Sequence, residues 1–279
     1  MEPSASKDFA TAIAGADTEV DLFGAAIVIA SLGNREVDAH ACARYFDTVA
    51  DDVLGQVTPA GGPEALAGAI DHELFVVRGF HGNAGEYNDP ANSYLDQVIS
   101  RRTGIPIALS LVYMEVAQRV GLRCDGIGYP GHFIVRCGDP DDPIFVDPYH
   151  QGARLDHEEL LAGLRGRNLG GATPESFLSA VTRRQILQRM LNNLRIVFSE
   201  RQDMQSWLDA VELALMLEPW NADLIGERGM LRFRLGDPEH ALEDLERYVA
   251  AGSGAPRHDA AVRILDQLRL QYGGGEDIR

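Results

Sequence analysis

The residues best suited to chemistry lie in one stretch, "GYPGHFIVRCGDPDDPIFVDPYH", which runs from residue 128 to residue 150. It places His132 on one short apolar strand and Asp147 at the end of the next. In such a pair the carboxylate orients the imidazole, and the imidazole acts as a general base. We therefore predict that these two side chains meet, and we look for a nucleophile beside them.

The three cysteines are weak candidates for that nucleophile. Cys42 falls on the apolar face of a predicted helix and is most simply a core residue. Cys137 follows His132 by five residues, and an odd offset puts two side chains on opposite faces of a strand. Cys124 lies on the preceding strand, where alternation does not exclude it. Three widely spaced cysteines form no disulfide framework, so we expect reduced thiols.

A metal site is an alternative that the sequence leaves open. His150 follows Asp147 by three residues, so His132, Asp147 and His150 together offer three metal ligands. No known ligand spacing selects His150, however, and no Cys-x-x-Cys pair indicates zinc. We predict a protein without a metal or another cofactor.

The elements that position the dyad are helices first and a small sheet after them. Apolar periodicity predicts helices over residues 20–32, 37–57, 63–79, 89–102 and 105–120. The last of these is apolar almost all round, so we expect it to be central and buried. Three short runs after it, "LRCDGIGYP", "GHFIVRCG" and "PIFVDPY", predict an antiparallel meander. The predicted fold class is α+β.

Four further residues are candidates for binding beside the dyad. Asn92 can direct an amide dipole at a developing oxyanion, or it can cap a helix. Tyr94 offers a hydroxyl or a stacking face, although its spacing also fits ordinary packing. Thr103 is predicted to cap the central helix, and Gly131 belongs to the turn that precedes His132.

The second half of the chain is predicted to be helical and repetitive. Trp207 and Ala241 are 34 residues apart, the period of a tetratricopeptide repeat, and "LGDPEHALEDLERYV" resembles the second half of one. Arg228 and Arg232 occupy positions that are usually apolar, so the repeat is degenerate. We expect two to three stacked units, which either bind a peptide or brace the first domain.

The motifs of the first half together resemble the SirB-one family, whose N-terminal domain is a divergent transglutaminase-like, papain-related domain. "NSYLDQVISRRTGIPIALSLVYMEVAQRVGL" is followed by "GYPGHFIVR" and "FVDPY", and the resemblance covers roughly residues 25 to 165. It implies a Cys at the start of the central helix, a His on the next strand and an Asp or Asn on the strand after. His132 and Asp147 match, whereas the helix start reads "TGIPIALS" and carries no Cys. SirB-one relatives are also similar in joining this domain to tetratricopeptide repeats.

The resemblance and the linker composition together predict the domain boundaries. We expect a flexible N-terminus over 1–20, a transglutaminase-like domain over 21–165 and a Gly-rich linker over 166–175. Helical repeats over 176–272 and a disordered tail over 273–279 complete the prediction.

Composition narrows the function and the partners. A net charge of −17 argues against nucleic acid and anionic membranes, and favours a basic protein or peptide partner. With no signal-peptide pattern and no long apolar run, we expect a cytoplasmic protein. Two hypotheses remain: a non-catalytic recognition protein, or a hydrolase or acyl transferase whose dyad activates water or another nucleophile.

Overall fold

The computed structural model describes residues 3–58, 61–252 and 258–272, which form two compact units. The first unit comprises residues 12–190, and the second comprises the residues from Leu191 onward together with those up to Thr11. The predicted boundary at 165 differs from this division. Residues 166–182 stay with the first unit because they return to its sheet: Val181 N–H donates to Gly126 O at 2.9 Å. The predicted tail over 273–279 lies outside the described residues.

Helices are the commonest regular structure of the first unit. Asp21 and Asp38 each precede a helix and accept a hydrogen bond from a backbone N–H in its first turn, as N-cap residues do. The α-helices that begin within this unit are α2 (Leu22–Ala30), α3 (Ala39–Leu54), α4 (Gly62–Asp71), α5 (Leu95–Arg101), α6 (Pro106–Arg119), α7 (His157–Leu164) and α8 (Arg183–Arg201).

The central helix of this unit is α6, as the sequence predicts. Its hydrophobic side chains are buried through most of its length, and Tyr113 is fully buried. Pro106 occupies the first turn, where its missing N–H costs no helical hydrogen bond. The helix packs against α3, α4, α5 and the first strands of the main sheet.

The main sheet is an antiparallel meander of four strands in sequential order. The strands are β3 (Cys124–Ile127), β4 (Ile134–Asp139), β5 (Asp142–Asp147) and β6 (Ala153–Leu155). Cys124 pairs with Cys137, and Val135 pairs with Val146. The sequence predicts the first three strands but not β6, because Ala153–Leu155 is too short and too polar to show alternation. A separate parallel pair joins β1 (His81–Gly82) to β2 (Thr103–Gly104).

The second unit is helical among its described residues. After the later part of α8 come α9 (Met204–Leu217), α10 (Ala222–Leu235), α11 (Pro238–Ala250) and α12 (His258–Tyr272), and α1 (Pro3–Ala12) groups with them. Residues 3–12 of the N-terminus that we predicted to be flexible are thus helical, and Phe9 is fully buried. Within the described residues, no helix is both long enough and apolar enough to cross a bilayer.

The two arginines at unusual repeat positions are bound to acidic partners. Arg228 donates both Nε and a terminal nitrogen to the Asp244 carboxylate, at 2.8 and 2.6 Å. Arg232 reaches the same carboxylate at 2.8 Å and Glu212 at 3.2 Å. Because Asp244 is only 2% exposed, the guanidinium groups supply the partners that a buried carboxylate needs.

Candidate functional site

A tight turn presents His132 beside the sheet. Residues 129–132, "YPGH", close a turn in which His132 N–H donates to Tyr129 O at 2.9 Å. Pro130 and Gly131, the latter with φ of +78°, are the residue types that a type II turn requires at its two central positions. His132 therefore lies in the turn two residues before β4 rather than on the strand, which corrects the prediction. Gly131 shapes the backbone here.

A second turn fixes the carboxylate of Asp147. The chain reverses after β5, and Oδ1 of Asp147 accepts hydrogen bonds from Tyr149 N–H at 3.0 Å and His150 N–H at 3.2 Å. This side-chain-to-backbone pattern is typical of Asp at the start of a turn. It holds Oδ1 against the backbone and leaves Oδ2 to face other groups.

The imidazole and the carboxylate meet, as the sequence predicts. His132 Nε2 lies 2.7 Å from Asp147 Oδ2. Nδ1 is therefore the ring nitrogen left to act on a substrate or a water molecule. The catalytic role of this pair remains a prediction.

A third residue joins the pair. His150 Nδ1 lies 2.7 Å from the same Oδ2 atom of Asp147. Burial alone would raise the pKa of Asp147, but the hydrogen bonds from His132 and His150 outweigh it and hold this pKa below its usual value. Asp147 is thus an ionised carboxylate between two imidazoles.

Tyr149 forms one wall of the site. Its ring meets that of His132 edge to face, with centroids 5.9 Å apart. It also covers Gly82, where a methyl group would lie 2.5 Å from the tyrosine ring, and its carbonyl accepts from Gly82 N–H at 3.2 Å. The absence of a side chain at residue 82 therefore gives the tyrosine its place beside His132.

Helix α6 presents no thiol at its start. Its first residues are Ile105, Pro106 and Ile107, all buried. Ser110, one turn further on, donates to Phe133 O at 3.3 Å. The serine thus ties α6 to the residue after His132.

Two of the cysteines face each other further along the sheet. Cys137 Sγ and Cys124 Sγ are 3.0 Å apart on β4 and β3. Cys137 lies three residues after Ile134, the first residue of β4, and so roughly 10 Å further along the strand from the turn that carries His132. Burial raises the pKa of the Cys124 thiol well above its usual value, and the neighbouring Cys137 raises this pKa further. Burial also raises the pKa of Cys42. Neither environment favours a thiolate.

Two of the remaining candidates are engaged elsewhere. The Asn92 side chain is fully buried: its amide nitrogen donates to Glu86 O at 2.7 Å, and its oxygen accepts from Asn83 at 3.0 Å. Its amide thus stabilises the loop before α5. Tyr94 is buried with its ring against Gly33, where a methyl group would lie 2.1 Å away. Both side chains are used in packing and loop structure.

Thr103 does not cap the central helix, so that prediction is wrong. It lies on β2 and pairs with His81, and the residue before the helix is Ile105, with no side-chain cap. The Thr103 hydroxyl is buried and has no hydrogen-bond partner among the described residues. The pairing with β1 places Thr103 on a strand, two residues before the N-cap position that Ile105 occupies.

Comparison with protein families gives the class of each half. Residues 40–192 match the profile described as the transglutaminase-like superfamily, and residues 194–269 match a tetratricopeptide-repeat profile. These matches define a transglutaminase-like unit followed by a repeat unit. The architecture that the SirB-one resemblance implies is confirmed.

Individual relatives agree with this division. The chain is 33% identical over 238 residues to a UPF0162 protein of Xylella fastidiosa, which covers 84% of each chain. It is 27% identical over 174 residues to a UPF0162 protein of Vibrio cholerae, covering 61% of this chain and 64% of that protein. It is 30% identical over 216 residues to F-box only protein 21 of Pongo abelii, covering 73% of this chain and 34% of that protein. The chain belongs to the transglutaminase-like superfamily and to the family of the UPF0162 proteins.

Proposed function

We propose that this chain is a recognition protein whose transglutaminase-like unit does not perform thiol-based acyl transfer and whose repeat unit binds a protein segment. The observation that carries the proposal is the start of α6. A helix start lowers the pKa of a thiol placed there, but Ile105 and Pro106 occupy it here. His132 therefore has no thiol at that position from which to take a proton.

The other possible nucleophiles in this unit support the same conclusion. Cys124 and Cys137 contact each other, and Cys42 is buried on α3. The Ser110 hydroxyl donates to Phe133 O, and an alcohol needs stronger activation than a thiol.

The repeat unit is suited to presenting a fixed surface. Glu227, 4% exposed, accepts a two-point contact from Arg195 at 3.1 and 2.6 Å and another hydrogen bond from the Trp207 indole at 2.5 Å. These contacts cross-link α8, α9 and α10. Trp220, between α9 and α10, is 77% exposed, and exposed tryptophans are enriched at protein interfaces. The net charge of −17 favours a basic partner.

A second candidate function is hydrolysis in which the dyad activates water. The observation that favours it is the 2.7 Å contact between His132 and an ionised Asp147, which is the orientation that a general base requires. Under this alternative no covalent intermediate forms on the protein.

Turnover separates the two functions. The full chain and the His132→Ala variant should be compared on peptidase, amidase, esterase and transglutaminase substrates, with His240→Ala as a control on the second unit. Our proposal predicts equal background rates for all three proteins. Turnover that is lost only in His132→Ala would overturn it and support the hydrolase.

Peptide binding tests the recognition half of the proposal. Both tryptophans of the chain, Trp207 and Trp220, lie in the second unit, so their fluorescence reports on that unit alone. We expect basic tryptophan-free peptides to change this fluorescence saturably, with an affinity that falls as salt is added. Acidic peptides of equal length serve as the control. A signal that no basic peptide changes, or that acidic peptides change equally, would contradict the proposal.

A further inference from the structure

Two histidines from different turns converge on one carboxylate oxygen. His132 Nε2 and His150 Nδ1 each lie 2.7 Å from Asp147 Oδ2. One potential ligand atom from each residue lies within 4.8 Å of the other two. We propose that His132, Asp147 and His150 form a binding site for a divalent transition-metal ion of the Zn²⁺ class, whether or not the unit is catalytic.

The spacing of these atoms is close to that of ligands on one ion. Nitrogen and oxygen ligands of Zn²⁺ lie at about 2.1 Å, so in a tetrahedral site any two ligands are about 3.4 Å apart. The two 2.7 Å contacts lie within about 0.7 Å of that spacing. The widest separation, at most 4.8 Å, exceeds it by about 1.4 Å or less, which rotation of the exposed His150 side chain can close.

The carboxylate is already oriented as a ligand. Oδ1 of Asp147 is held by the backbone N–H groups of Tyr149 and His150, which directs Oδ2 at the two rings. Such hydrogen bonds to a ligating carboxylate are the usual outer layer of a metal site. The Asp147 side chain is 6% exposed and that of His132 is 22% exposed, so the two are shielded by the fold.

One side of the site is open to solvent. The His150 side chain is 64% exposed. An ion held by three protein groups would therefore keep a position for water or for a ligand, as three-ligand zinc sites do.

The donor set selects the class of metal. Two imidazoles and one carboxylate suit Zn²⁺, Co²⁺, Ni²⁺ and Cu²⁺, whereas Mg²⁺ and Ca²⁺ prefer oxygen ligands. Binding requires a lone pair on each ligating nitrogen. In each neutral ring the proton moves to the other nitrogen, so the ion replaces the two hydrogen bonds to Oδ2 without a change in the number of ring protons.

The chain provides a matched control for this proposal. His240 and Asp237 have the same three-residue spacing as His150 and Asp147, with Nδ1 2.9 Å from the carboxylate, but they lie exposed at the start of α11. Among the described residues, no third His, Cys, Asp or Glu side chain completes a group of three metal ligands with that pair. A His–Asp contact alone should not bind a metal ion tightly.

Titration of the metal-free full chain with Co²⁺, followed by visible absorption, and with Zn²⁺, followed by calorimetry, tests the proposal. We expect one ion per chain with micromolar or tighter affinity. His150→Ala should weaken it at least about 10-fold, since outer-layer substitutions alone already cost that much. Because the His150 side chain is exposed, its removal should leave the fold intact, and circular dichroism checks this. His240→Ala should bind as wild type does. Wild-type protein that binds no ion at these concentrations, or equal binding by His150→Ala, would overturn the proposal.

Discussion

Replacing Asp71 by Asn should stabilise the first unit at neutral pH. Asp71 lies at the end of α4, where Tyr113 donates to it at 3.0 Å and Arg154 contacts it at 2.8 Å. Burial raises its pKa from 3.8 to about 6, even though Arg154 and the Tyr113 hydrogen bond act in the opposite direction. The folded protein thus favours the protonated side chain, and holding it ionised costs stability.

The size of the expected stabilisation follows from the shift in the pKa of Asp71. About two pKa units correspond to roughly 3 kcal/mol, an upper estimate because the site is partly solvated. The stability that the protonated Asp71 contributes is fully present below pH 3.8, the pKa of the unfolded state. It is lost as the pH rises to about 6, the pKa of the folded state. Asn cannot ionise, so Asp71→Asn should match wild type near pH 4. It should then exceed wild type by an amount that grows up to about 3 kcal/mol at pH 7.

Urea unfolding between pH 4 and pH 7 measures this difference. Circular dichroism follows both units, whereas tryptophan fluorescence follows only the second unit, so a change confined to dichroism belongs to the first. Asp52→Asn is the control, because Asp52 forms a half-exposed ion pair with Arg78 and should change stability by less than about 1 kcal/mol. A difference that does not grow with pH, or an Asp71→Asn protein less stable than wild type at pH 7, would refute the reasoning.

Three further substitutions test the two units. Asp244→Ala should lower the stability of the second unit by about 3–5 kcal/mol, since it leaves two part-buried guanidinium groups without their shared carboxylate. A shift below about 1 kcal/mol in the tryptophan-detected urea transition would contradict this. Gly131→Ala should cost about 1 kcal/mol by dichroism-detected unfolding, because φ of +78° strains a residue with a Cβ. Gly68→Ala, within α4, should stabilise the first unit by a similar amount, because the added methyl would meet no atom within 4 Å beyond the backbone of its own helix.

The sequence predicts the dyad because short-range signals are strong there. "YPGH" contains the Pro-Gly pair that a tight turn needs, and Asp147 ends an apolar run. The apolar sequence of α6 likewise predicts a buried helix. Each of these signals lies within a few residues of the element it specifies.

The rest of the site depends on the exact geometry of a turn and on contacts between distant segments. His150 contacts Asp147 Oδ2 across the turn that follows β5, in which Gln151 has φ of +56° and Gly152 has φ of +78°. The sequence Asp-Pro-Tyr-His, residues 147–150, is only a weak signal of this contact. The sequence favours a helix cap at Thr103 because the pairing of β2 with β1, 22 residues earlier in the chain, produces no local sequence pattern. In the second unit, Asp244 on the following helix explains the arginines of α10, which periodicity alone marks as departures.

If our proposal is right, no activated thiol serves His132. The rate at which iodoacetamide alkylates Cys42, Cys124 and Cys137 at pH 7, measured for each residue by peptide mass spectrometry in wild type and in His132→Ala, tests this. We expect all three cysteines to react slowly, because they are buried or have a raised pKa, and we expect the substitution to leave the rates unchanged. A cysteine that reacts faster than a free thiol in wild type, and slows in His132→Ala, would overturn the proposal.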